Sequence, residues 1–87
     1  MMYAATMTVE FRTADAATVG EHALRQHCQT RFVSGKSKQV VVAQTIDTTT
    51  LEAAVTNMRY SVGVILTQEA GFEVNAFKAV AASAEAL

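Results

Sequence analysis

Tyr3-Ala4-Ala5-Thr6-Met7-Thr8-Val9-Glu10-Phe11-Arg12 is the stretch whose reading decides the fold. Tyr3, Ala5, Met7, Val9 and Phe11 are apolar, and the residues between them are mostly polar. Successive side chains of a strand point to opposite faces, so this period of two predicts a half-buried strand. One face of its sheet meets a core and the other meets water. That pattern belongs to antiparallel sheets, since a parallel strand covered on both faces reads as a continuous apolar run.

Downstream the period changes. Thr13 or Asp15 can cap a helix that runs to about Gln29. At 100° per residue, Ala16, Val19, Gly20, Ala23, Leu24 and His27 gather on one side, and Glu21, His22, Arg25 and Gln29 on the other. Gly20 falls on the apolar side, where a missing side chain allows close approach to a sheet. Arg31 to Ser34 and Gln39 to Ile46 read as two strands joined by Ser34-Gly35-Lys36-Ser37, with Gly35 free to take a positive φ. Val40-Val41-Val42 marks the second as a central strand.

Asp47 to Thr50 opens a second helix. Asp47 as cap would set Ile46 against Leu51, and Thr49 as cap would use Glu52 as the return acceptor. Leu51, Ala54, Val55 and Met58 form its apolar stripe. Tyr60 to Thr67 fits either a continued helix or a strand. Its Val62-Gly63-Val64-Ile65 core is poor helix sequence and good strand sequence, which favours the strand. Glu69-Ala70-Gly71 would then be a hairpin loop, Phe72 to Ala76 a short return strand, and the alanine-rich tail Phe77 to Leu87 a helix.

The resulting expectation is one α+β domain over residues 1–87. Two helices cover one face of an antiparallel sheet, in the split β-α-β (ferredoxin-like) order β-α-β-β-α-β plus a C-terminal helix. Met7, Val9, Phe11, Leu24, Val42, Leu51 and Val55 are expected in one core. The opposite sheet face would carry Thr6, Thr8, Glu10 and Arg12.

Composition sets the bounds of function. Eighty-seven residues make one domain, which buries only about 60–65% of its unfolded surface. With 51% apolar and 17% charged residues, disorder is excluded as the reading. No apolar run approaches the roughly 18 residues of a membrane span, and no basic-then-apolar leader opens the chain. Cys28 stands alone, so no internal disulfide is expected, and a reducing, cytoplasmic setting fits best. A net charge of −1 exerts no global pull toward nucleic acid or membrane.

Few motifs carry chemistry. Gly35-Lys36-Ser37 ends like a phosphate-binding loop, but Thr30 stands where that loop needs glycine, and a strand follows where it needs a helix. His22, His27 and Cys28 are spaced five and six apart on the expected helix, which does not bring metal ligands to one face. No metal and no cofactor is expected. His27, at the centre of the stripe, is the one candidate general base, weighed against a partly buried structural histidine. Cys28 reads as a small hydrophobe. Asp15 and Asp47 are explained as caps, and the other carboxylates are scattered.

One feature of the charge layout is not random. No acidic residue lies between Glu21 and Asp47, while Arg25, Arg31, Lys36 and Lys38 do. On the expected hairpin, Arg31, Lys36 and Lys38 cluster. They serve either as a docking patch for phosphate or an acidic protein, or as lysines that keep an edge strand from aggregating. The leading expectation is therefore a small non-enzymatic binding or regulatory protein that acts by surface complementarity. Arg25, Arg31, Lys36 and Lys38 would contact a protein partner in preference to nucleic acid, and the domain would form a homodimer through its threonine face or an open edge. A phage- or mobile-element-encoded inhibitor has this size and character. The alternatives are a cofactor-free enzyme with a pocket at His27, and a weak nucleic-acid binder using the Arg31–Lys38 hairpin.

Overall fold

The alternation of Tyr3 to Phe11 seats β1 (Met2–Phe11) inside a four-stranded antiparallel sheet, in a computed structural model that describes residues 1–87. β1 leads to α1 (Ala14–Leu24), then to a hairpin of β2 (Gln29–Val33) and β3 (Lys36–Asp47). α2 (Leu51–Val64) follows and runs on through a wider π-helical turn at Ile65–Glu69. A short 3-10 turn at Val74–Ala76 then introduces β4 (Phe77–Ala86). The strand order is β2-β3-β1-β4, and each neighbouring pair is antiparallel. β1 and β2 both oppose β3, so they run parallel to each other with β3 between them.

The register explains the core. Tyr3, Ala5, Met7, Val9 and Phe11 are all buried, and β3 sets Val42 opposite Met7 and Val40 opposite Val9. On this face the cluster takes in Ala17 and Leu24 of α1, with Met58, Val62, Ile65 and Leu66 from the second helical segment. The two helices thus cover one face of an antiparallel sheet. Phe11 anchors one end of the core, its ring 5.5 Å from Phe72 and 6.4 Å from Phe77. At Gly20 α1 comes so close to the sheet that a methyl group there would overlap the Phe11 ring. Gly35, at φ 76°, makes the β2–β3 turn as its sequence suggests.

Several expectations are corrected. The C-terminal helix is absent: Phe77 to Ala86 is β4, hydrogen-bonded along the open side of β1. The alanines that favour helix locally are also small enough to sit beneath α2, and Phe77, Ala79, Ala82 and Ala84 pack against the core. Residues 60–67 are helical, not a strand. Burial of Met58, Val62, Ile65 and Leu66 on the sheet outweighs the strand propensity of the β-branched residues. Phe72 to Ala76 is not a return strand. The helix ends at Gly71, φ 76°, where Phe72 N–H donates to the Leu66 carbonyl and the Phe72 ring turns to the core.

Of the caps, one is as expected and one shifts. Thr13 caps α1, accepting from Ala16 N–H at 3.0 Å. α2 is capped by Thr50, accepting from Ala53 N–H at 3.0 Å, rather than by Asp47 or Thr49. Leu51 is then the first helical residue and is 43% exposed, and Val55 is only half-buried. The buried stripe is Ala54, Met58 and Val62. α1 ends at Leu24 rather than Gln29, and its stripe is Ala17, Gly20, Glu21 and Leu24, with Val19 exposed.

Candidate functional site

The charges separate into two places at opposite ends of the sheet. β1 and β2 point the same way, so the β2–β3 turn lies beside the C-terminal end of β1 and the start of α1. Arg25, at the far end of α1, lies beside the opposite end, near Ala4, Ala5 and Thr45. It is therefore not brought to the hairpin. Its Nε and Nη2 donate to Glu21 at 3.1 and 2.5 Å, and Thr30 Oγ1 donates to the same carboxylate at 2.6 Å. Glu21 is buried, and the hydrogen bonds from Arg25 hold its pKa below the ordinary carboxylate value despite the opposing effect of burial. Glu21 thus joins α1 to β2 through Thr30, and Arg25 holds the same carboxylate from within its own helix.

His27 is also displaced from its expected setting. It lies in the turn after α1, 42% exposed, with Nε2 2.8 Å from Glu69 Oε1. An open cleft of about 520 Å³ runs past it, lined by Arg25, Cys28, Gln29 and Gln44 among others. Gln44 Oε1 is buried without a protein donor. Burial pushes the Cys28 thiol up, away from the thiolate that nucleophilic chemistry requires.

The other end of the sheet is cationic. Glu10 lies opposite Gln39 on β3 and opposite Lys78 on β4. It accepts from Gln39 Nε2 at 3.1 Å and lies 3.4 Å from Lys78 Nζ. The Gln39 hydrogen bond, helped by Lys78 and Lys38, lowers its pKa. Two shallow depressions flank it. One, of about 360 Å³, is bordered by Arg12, Lys38, Asn75 and Lys78. The other, of about 330 Å³, is bordered by Gly35, Lys36, Ser37 and Lys38. Arg12 Nη2 donates to the Asn75 carbonyl at 3.2 Å, which steadies the rim. Lys36 and Lys38 are exposed and form no ion pair.

Of the four residues expected to bind a partner, Lys36 and Lys38 meet at this end. Arg31 faces outward from the middle of β2, opposite Val41, and Arg25 lies elsewhere. Arg12 and Lys78 complete the cluster and were not legible as members of it. They come from the end of β1 and from a tail whose composition reads as helix. The available signal was the alternation of Lys78, Ser83 and Glu85 with Phe77, Ala82 and Ala84, which the run of alanines masks. No helix is long and apolar enough to cross a membrane. The chain matches no protein-family model, no curated protein and no solved structure.

Proposed function

We propose that this domain is a small binding protein that regulates a macromolecular partner by docking the cationic end of its sheet on an acidic protein surface. The observation that carries the reading is the convergence of Arg12, Lys36, Lys38 and Lys78 around a single carboxylate, Glu10, with both hairpin lysines exposed and unpaired. Four cations converging from β3, β4 and the turn after β1 make a local field strong enough to steer an acidic partner, although the whole chain is near neutral. The parallel β1 and β2, split by β3, favour the ferredoxin-like topology. That topology hosts many activities and adds nothing to the functional reading.

An acidic protein is preferred to nucleic acid because the remainder of the chain is acidic and repels a long phosphate backbone. The test is titration with poly-L-glutamate and, separately, with duplex DNA. Poly-L-glutamate should bind the wild type, and the Lys36→Glu/Lys38→Glu variant should lose that binding with its stability changed by no more than about 0.5 kcal/mol. Equal binding by the variant would remove the lysines from the interface. Binding of duplex DNA alone, with a log–log salt slope near −3 for about three phosphates neutralised, would install the nucleic-acid reading instead.

A further inference from the structure

β4 is the long open edge of the sheet. β2, at the other edge, has five residues, carries Arg31 and is irregular at Phe32/Val33. β4 has ten, no proline, and no charge between Lys78 and Glu85. Its backbone pattern follows from one bond: Leu87 N–H donates to the Met2 carbonyl at 3.0 Å. That bond makes Tyr3 and Ala86 a pair that does not exchange hydrogen bonds. By the alternation of an antiparallel ladder, Ala82, Ala84 and Ala86 then aim their N–H and C=O groups away from β1. Val80 is an extra residue, since Thr8 pairs with Ala81 and Val9 with Ala79. Past this bulge the outward set continues at Ala79 and Phe77.

We propose that β4 pairs antiparallel with β4 of a second copy of this chain about a two-fold axis at Ala82, joining two four-stranded sheets into one of eight. The backbone, the bulge and the charges all agree on this register. The outward backbone set maps onto itself: Ala82 meets its own equivalent, Ala84 meets Ala79, and Ala86 meets Phe77. The bulge maps onto itself too. Val80 and Ala81 stand opposite Ser83 of the second copy, the same two-against-one arrangement in which they face Thr8 of β1. The charges are complementary, because Lys78 falls opposite Glu85 of the second copy, on the same sheet face, twice per dimer. Within one copy Glu85 has no ion-pair partner, and this pairing supplies one. The contact engages Lys78 but leaves Lys36 and Lys38 free, so the Lys36→Glu/Lys38→Glu variant tests docking without touching the dimer and sedimentation tests the dimer without the docking partner.

Sedimentation of the wild-type protein across a range from low to high micromolar concentration should show a monomer–dimer equilibrium. A monomer throughout overturns the proposal. Glu85→Lys sets like charges together at two places and should weaken the dimer by about tenfold or more. Adding Lys78→Glu should restore it, and equal dimerisation in all three proteins would overturn the register. In a Cys28→Ser background, Ala82→Cys should form a disulfide-linked dimer on mild oxidation, because its two copies come within bonding distance at the axis. Ala84→Cys, whose copies lie on opposite sides of the axis, should not. Equal crosslinking of both would mean random collision and would also overturn the register.

Discussion

β1 and β4 are strands of equal length, hydrogen-bonded to each other, yet they hold their conformations for different reasons. β1 alternates large apolar residues with threonine, its inward residues are fully buried, and it is paired on both sides. Local propensity, pattern and tertiary environment all favour strand. β4 is largely alanine, which favours helix, and none of its residues is fully buried. It is a strand because β1 offers an unpaired backbone edge and because Phe77, Ala79, Ala82 and Ala84 can then pack against the core. One strand is specified by its own residues. The other is specified by its neighbour.

This contrast orders the stability effects of substitution. Phe11→Ala in β1 should be the most damaging, costing about 3–5 kcal/mol, because it empties the site shared with Phe72, Phe77 and Gly20. Denaturant unfolding measures it, and a loss under about 1 kcal/mol would remove the aromatic cluster from the core.

Glu21→Gln tests the link between α1 and β2 and should cost about 1–3 kcal/mol at neutral pH. Because the folded pKa of Glu21 lies below the ordinary 4.5, its stabilisation is present above that value and disappears as pH falls through the lower, folded one. The gap between wild type and variant should therefore narrow as pH is lowered from about 5 toward 3. A gap independent of pH would mean that the ionised carboxylate is not what stabilises.

The smallest effect sharpens the contrast most. Ala81→Thr, on the exposed face of β4, replaces a helix-favouring residue by a strand-favouring one and should raise stability by a few tenths of a kcal/mol. The same residue pair reversed in β1, Thr8→Ala, should lower it. A destabilising Ala81→Thr would show that β4 is selected for small side chains on its outer face as well as its inner one.

The hairpin shows how legibility divides. Gly35, the β-branched run of β3 and the lysines beside the turn were all readable, because a turn needs a residue tolerant of positive φ and a buried strand needs apolar width. The cluster those lysines belong to was not readable, because Arg12 and Lys78 lie 24 residues before and 42 residues after Lys36 and meet it only through strand pairing. His27 illustrates the opposite error. Extending α1 to Gln29 placed it on a buried stripe, but the helix ends at Leu24 and His27 turns out to Glu69.

The sequence by itself determined the elements whose cause is local. The alternation of β1, a helix start capped at Thr13 or Asp15, the close approach at Gly20 and the turn at Gly35 each follow from a residue and its immediate neighbours. Only the tertiary structure decided the rest: that residues 60–67 stay helical, that the alanine-rich tail is a strand, that Leu51 faces solvent, and that Glu10 gathers cations from β3, β4 and the turn after β1. In each case the local preference was at most about 1 kcal/mol per residue. Burial of Met58, Val62, Ile65 and Leu66, and the unpaired edge of β1, outweigh preferences of that size and leave no mark in the residues they override.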